Sequence, residues 1–443
     1  MEKVNLWVHS LRGKTWFYPV VYSLLGLLLA VLCISYDIGV LPLVGRIIPK
    51  VFLTTLEISK IILSMVGAAF ITITIFTFST TMVVLTMYTA QYSPRVVKNF
   101  LNNRKTLQSF GVFVSGFIYV VVVLLFMSNY TQDQRMVSAT VSILYILVGL
   151  VYFFRFINSV STHIQAGNLI ERLKENAVRA IEDYRQKVSA AEHMPQVSAG
   201  KRPVHYCTSD QDGYIQDVDV AVLKKTAASL NLIICLDKVP GQFVTHRTVI
   251  GSFWAFGEQL TEAQQKEVKE QIRDSVIVGE ERLEISDFDF TIQKMVEVAL
   301  KALSPGINDP NTAIHCIRIL SLLLRKLSDL PKGYYVYAGK DPERENVQRG
   351  QVCIEAVDFE ILLMNTYQPL LNYGKGDIMV LREMIKSLYV SAETASLDNR
   401  LVITRFTEFL GRIIAAEAFD LEEIEILQKE IRKVLNLTHF SSV

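Results

Sequence analysis

The chemistry on offer in the first third of this 443-residue chain is a set of hydroxyls inside an apolar run. The stretch "FITITIFTFSTTMVVLTMYTAQYSPR", residues 70–95, carries many Thr and Ser residues and no ionisable acid or base before Arg95. Thr72, Ser79, Thr86 and Ser93 recur every seven residues and form one stripe on a helix. Thr74, Thr77 and Thr81 form a second stripe, continued by Tyr88. Small and hydroxyl side chains let membrane helices approach and bond across an interface. A Thr can also satisfy the carbonyl four residues back in its own helix. The alternative is that one stripe lines a water-filled path for ions or small polar solutes. The absence of charge speaks against proton-coupled transport, which uses intramembrane ionisable groups.

The run ends in an elbow. Ser93 is a helix cap, Pro94 suits the first helical position, and Arg95 opens "RVVKNFLNNRK". Val96, Val97, Phe100 and Leu101 fall on one side of that segment, with Arg95, Lys98 and Arg104 largely on the other. Residues 94–105 therefore read as an amphipathic helix at the membrane surface, either a gate lever or a passive anchor.

A second constellation lies in the loop Ser304, Pro305, Gly306, Asn308, Asp309, Pro310 and Thr312. Pro305-Gly306 makes a turn that ends one helix, and Asp309 caps the next with Pro310 at its first position. An enzymatic site here would draw on Asn308, Asp309, Thr312 and His315, with Arg282, Asp287 and Asp289 as further polar groups. No nucleophile–base pair, phosphate loop or zinc-protease pattern accompanies them. Asp210 and Asp212 before Gly213 read first as a solvated loop and only second as a cation site. The five Cys show no CxxC spacing and the seven His no HExxH, so the thiols read as reduced and buried, with no metal or cofactor implied.

The elements that position these residues follow from hydropathy. The chain is 50% hydrophobic, and the excess sits in roughly its first 155 residues. Four uncharged runs, 16–36, 61–90, 107–127 and 136–154, are each long enough to cross about 30 Å of hydrocarbon. The first is too long for a signal h-region and reads as a retained span. The second, at roughly 45 Å as a helix, tilts or projects. Lys3, Arg12 and Lys14, then Arg95, Lys98, Arg104 and Lys105, then Arg155, Arg172 and Lys174 flank one side. The positive-inside rule puts both termini and the large carboxy-terminal region in the cytoplasm. A net charge of +1 implies no nucleic-acid partner.

The expected fold is thus an α-helical integral membrane domain of four transmembrane helices over residues 1–157, then a cytosolic α+β domain. Within the latter, 158–190 reads as a helical stalk, 191–258 as a small β-rich mixed module of barrel-like character, and 259–443 as mostly helical. "NLIICLD" and "FVTHRTVIGSFW" read as strands around the turn "DKVPGQ", and Thr261 with Gln264 forms a capping box. "SVIVGEERLEIS" reads as strand-rich. Three helical patterns close the chain near 376–396, 399–418 and 421–436. The polar insert "AGKDPERENVQRGQ" reads as a loop.

"FSTTMVVLTMYTAQYSPR" with "NFLNNRKTLQSFGVFVSGFIYVVVVL" resembles the amino-terminal half of a bacterial family of multipass membrane proteins, the domain of unknown function 2254. "ALKALSPGINDPNTAIHCI" is similar to the most distinctive segment of that family's cytosolic half, and "GYIQDVDVAVL", "PGQFV" and "VGEERLEISDFDF" fit its pattern between them. The family pattern implies Arg-Thr after the glycine; Arg282 is kept, but Leu283 stands at the Thr position. The resemblance implies membership and no catalytic residue.

Three function classes result: a homo-oligomeric ion channel or pore of the bacterial inner membrane with a cytosolic regulatory or assembly domain; a membrane-anchored sensor or scaffold; and an enzyme in the cytosolic half. The first is the leading expectation, with the lipid bilayer, further copies of the chain and ions as partners.

Overall fold

The structure is a computed structural model, and it describes residues 16–38, 49, 52–91, 104–127, 135–164, 166–200, 202–257, 259–340 and 348–439. The elbow residues Ser93, Pro94 and Arg95 lie outside the described residues. The chain divides into two compact units, Met1–Asn168 and Leu169–Val443.

The first unit contains α1 (Phe17–Asp37), α2 (Leu56–Gln91), α3 (Arg104–Phe126) and α4 (Ser138–Ile164), with two-residue strands β1 (Thr54–Thr55) and β2 (Arg135–Met136). All four helices are long and apolar enough to cross a membrane. Contacts give their directions. Helices α1 and α3 run together: the Tyr22 carbonyl, early on α1, accepts from Ser115, while Asp37 at the end of α1 and Tyr119 farther along α3 both meet the Val137–Ser138 step. Helix α4 runs the other way, since Ser109 meets the Tyr152 carbonyl and Ser115 meets Tyr145. Helix α2 also opposes α3, with Gly67 against Val120 and Phe70 against Gly116. Half of α3's most apolar stretch is buried against 17–28% for the other three, which makes α3 the hub.

Close approach at the hub depends on small residues. The fully buried Phe70 ring fills the space where a Cβ on Gly116 would sit, touches Gly149 of α4, and meets Tyr145 edge-on at 5.6 Å. Without a strong hydrophobic force between helices in lipid, such close packing and interhelical hydrogen bonds supply the association energy.

In the second unit, α5 (Ala166–Ser189) precedes β3 (Glu192–Met194), β4 (His205–Thr208), β5 (Gly213–Val218), α6 (Val220–Leu230), β6 (Leu232–Leu236), β7 (Phe243–Val244), β8 (Val249–Ala255), α7 (Glu262–Ser275) and β9 (Val276–Gly279). Then come α8 (Phe288–Leu303), α9 (Pro310–Ser328), β10 (Tyr334–Lys340), β11 (Gln348–Glu355), α10 (Phe359–Gly374), α11 (Ile378–Ala392), α12 (Leu397–Ala416) and α13 (Leu421–His439). Local chemistry sets many helix starts. Asp219, Asp287, Asp309, Asp358, Asp377 and Ser396 each cap a helix, and Thr261 with Gln264 forms the expected capping box.

The larger sheet has the order β3-β10-β11-β6-β8-β4, and the smaller β7-β5-β9. All pairs are antiparallel except β11 with β6. The larger sheet is open rather than barrel-like, with β3 and β4 at its edges. Period-two alternation sorts its faces. Ile234, Leu236, Phe253 and Val352 join a core with Leu223 and Ala227 of α6 and Val268 and Ile272 of α7. Ile233, Cys235, Trp254, Val336 and Cys353 face the other way, under Met194, Val197, Ala199 and Val204. The sheet therefore draws β10 and β11 from the stretch read as mostly helical, and it joins the segments 191–258 and 259–443 within one unit. The ends of the polar insert are paired strand rather than loop, Lys340 opposite Gln348, and residues 341–347 between them lie outside the described residues. "SVIVGEERLEIS" holds only the four-residue β9. Helices α8 to α13 form the remaining layer, with Ile317, Leu320, Leu324 and Leu327 of α9 buried at helical spacing.

Candidate functional site

The two hydroxyl stripes of α2 face different surroundings. Thr77 is 1% exposed and Thr74 and Thr81 are half-buried, so this stripe packs within the protomer. Thr72, Ser79 and Thr86 are exposed and turned away from its core. The threonines of both stripes donate to the carbonyl four residues back, at 2.8 Å for Thr72, 2.7 Å for Thr74, 2.6 Å for Thr77, 2.7 Å for Thr81 and 2.9 Å for Thr86. Each hydroxyl proton is thereby committed inside the helix, and its oxygen retains acceptor capacity. Ser93 and the side chain of Tyr88 lie outside what the structure describes.

The loop after α8 is a capped connection. Ser304 ends α8 and its hydroxyl donates to the Lys301 carbonyl at 2.6 Å. The Ser304 carbonyl accepts from the amides of Ile307 and Asn308, both at 2.9 Å. Asn308 has φ +49°, the left-handed region that Asn tolerates better than most residues. Asp309 accepts from the Thr312 amide at 3.1 Å and from its hydroxyl at 2.6 Å. Pro305 and Gly306 are exposed, as is His315, while Pro310 opens α9.

Arg282, Asp287 and Asp289 do come together. The guanidinium donates to Asp287 through Nε at 2.6 Å and Nη2 at 2.9 Å, to Asp289 through Nη2 at 3.0 Å, and to Gln293 through Nη1 at 3.1 Å. It also lies 5.0 Å from the Phe290 ring centre. Asp287 is 3% exposed and caps α8 as well. Burial raises the Asp289 carboxyl above its ordinary value, with the Arg282 contact opposing that rise. Nearby, Lys294 pairs with Glu284, which also accepts from Asn176 of α5 at 2.8 Å. Leu283 is 44% exposed, so the departure at that position leaves the Arg282 contacts untouched.

This cluster lines one side of a cleft of about 240 Å³. The segments 239–242 and 355–358 supply further walls, with Tyr184 also in the lining. Gly241 has φ +95°, and a Cβ there would collide with the Asp287 carboxylate, so the loop passes only as glycine. The Arg282 cluster and the Ser304–Thr312 loop stand at opposite ends of α8. Sixteen helical residues separate them by roughly 24 Å, so they do not form one site. Asp212 accepts from the His246 amide at 2.7 Å, which gives it a local structural role.

A family described as "Predicted membrane protein (DUF2254)" matches residues 12–389. The chain belongs to this family. This family 2254 chain is also similar to uncharacterized proteins of Mycobacterium bovis and Mycobacterium tuberculosis, each 25% identical over 320 residues, or 70% of this chain. The chain spans 60% of the length of these relatives. No solved structure matches it. The "PGQFV" and "VGEERLEISDFDF" stretches, separate in sequence, meet at the cleft. Sequence reasoning missed Glu355–Asp358 as the facing wall, and the approach of Gly241 to Asp287 is a signal visible only once both segments are placed.

Proposed function

We propose that this family 2254 protein is a homo-oligomeric pore of the bacterial inner membrane, with α2 nearest the shared axis. The observation that carries this reading is the opposite placement of the two stripes on α2: Thr74, Thr77 and Thr81 inward, Thr72, Ser79 and Thr86 outward. A lipid-facing surface gains nothing from hydroxyls, whereas a water-filled path does. A four-helix protomer has little room for such a path, so several copies share it. Because the outward threonines have committed their protons, the wall offers oxygen acceptors and favours cations over anions.

The orientation in this reading has both termini cytoplasmic, supported by the basic flanks and by the alternating directions of the four helices. The Leu169–Val443 unit then serves regulation or assembly on the cytoplasmic side. Purified protein in planar bilayers tests the proposal. Thr72→Val, Ser79→Ala and Thr86→Val together should reduce cation conductance with oligomer size unchanged, while Thr77→Val should weaken the protomer itself. Silence of the wild-type protein under voltage, tension and common ligands would instead support a membrane-anchored sensor. The cleft beside Arg282 is the observation favouring that second reading. No enzymatic role is proposed.

A further inference from the structure

Cys235 of β6 and Cys353 of β11 stand directly opposite one another in the single parallel pairing of the larger sheet. Neighbouring strands lie about 4.7–4.9 Å apart, inside the roughly 4.4–6.8 Å range of Cα separations that a disulfide spans. Both side chains are on the same sheet face, and they are 4% and 0% exposed. Cys207 belongs to the core on the opposite face, Cys316 lies on α9, and Cys33 lies in the other unit. Among the five cysteines only this pair is in strand register.

The pair also has a position of consequence. Four residues after Cys235 the chain enters the cleft wall 239–242, and two residues after Cys353 it enters the wall 355–358. A covalent tie between the strands would fix the spacing from which both walls depart. The cover over this face is the segment 195–204 with Met194, and among its described residues it has no helix or strand. Its internal bonds are local, Gly200 amide to Ser198 Oγ at 3.2 Å and Arg202 amide to the Ala199 carbonyl at 3.3 Å. Segments of this kind open at lower free energy than the whole fold.

We propose that Cys235 and Cys353 form a reversible dithiol–disulfide couple that fixes the two walls of the cleft, with glutathione disulfide as the class of oxidant. One cysteine thiolate attacks the oxidant's disulfide and displaces a glutathione thiolate. The second cysteine thiolate then attacks the mixed disulfide and displaces the other. The two protons released by the cysteines go to the two glutathione thiolates, and the two electrons leave the protein pair for glutathione. With the cover closed, the thiol–thiol hydrogen bond to Cys353 and burial hold the Cys235 thiol above its ordinary range, so reaction awaits opening of the cover. This inference is independent of whether α2 lines a pore.

The test uses full-length protein in detergent micelles, exposed to glutathione disulfide, then unfolded in the presence of an alkylating reagent and mapped without reduction. The free-thiol count should fall from five to three, with a Cys235–Cys353 cross-linked peptide that dithiothreitol removes. Hydrogen exchange at 239–242 and 355–358 should slow several-fold in the oxidised protein and return on reduction. Cys353→Ser should show no cross-link and no slowing. Separate alkylation of both cysteines throughout, a cross-link between other cysteines, or a cross-link with unchanged exchange at both walls would each overturn the proposal. The wild-type measurement decides even if the variant fails to fold.

Discussion

The Asp37 carboxylate at the end of α1 closes the start of α4: it accepts the Val137 amide at 2.8 Å and the Ser138 hydroxyl. Asp37 is only 7% exposed, and the Ser138 carbonyl in turn accepts from Tyr119 at 2.8 Å. The short β1–β2 pairing ties the same end of the bundle. Asp37→Ala leaves a buried amide and hydroxyl without their acceptor, and the expected loss is about 1–3 kcal/mol. Thermal unfolding in detergent measures it, and Asp37→Asn should fall between wild type and Ala because it keeps one acceptor oxygen.

Gly116 and Phe70 should be energetically coupled. Gly116→Ala places a methyl where the Phe70 ring lies, and overpacking of this kind costs about 1–3 kcal/mol. Adding Phe70→Leu should relieve part of that loss. A double-mutant cycle on unfolding free energy checks this, and strict additivity would refute the coupling.

Removing Arg282 should be the most damaging change in the second unit. Arg282→Met strands the buried Asp287 and leaves the half-buried Asp289 unpaired, with an expected loss of about 3–5 kcal/mol, most of it from Asp287. Arg282→Lys cannot reproduce the fork and should recover only part of it. Chemical denaturation of the intact protein reads both.

Asp289 should leave a signature in the pH profile of stability. Its folded carboxyl is raised above the ordinary 3.8, chiefly by burial, so the folded state holds this proton more tightly than the unfolded chain. Its contribution is fully present below pH 3.8 and is lost as pH rises through the folded value. Asp289→Asn should flatten that part of the profile, and comparison of the two unfolding curves across this range checks it.

Asp309→Ala should cost about 1 kcal/mol through loss of the α9 cap, while Asn308→Gly should be neutral or slightly stabilising at its left-handed φ. Any conductance should survive both. A variant with full stability and no activity would assign the loop a functional role instead.

Cysteines introduced at Gln132 and Gln196 test the proposed orientation. A membrane-impermeant maleimide should reach them from opposite sides of inner-membrane vesicles. Labelling from one side would refute the arrangement.

Much of this was legible wherever a signal is local. Uncharged runs announced four helices, and Thr261 with Gln264 and Asp309 with Pro310 announced caps that formed as written. The strands β10 and β11 were not legible, because their pairing depends on partners far away in the chain: β10 with β3, and β11 with β6. Asp37 carries no local signal, because its partners lie a hundred residues on. For the cleft, Arg282, Asp287 and Asp289 were visible as candidates, but Gly241 and Glu355 reach them only through the fold. The orientation of the α2 stripes needed neighbours that the helix's own sequence does not contain.

The parallel pairing of β11 with β6 also imposes an order on biosynthesis. Strands β4, β6 and β8 can pair with one another while the chain is still emerging, which leaves β6 as a bare edge. Its completing neighbour arrives more than a hundred residues later, after the three helices α7, α8 and α9 have been made. Until then an open row of amides and carbonyls, flanked by Ile233, Ile234 and Leu236, is a template for pairing with other nascent chains. A ribosome that stalls before residue 348 therefore releases a product prone to association, and chaperone demand should peak in that interval of translation.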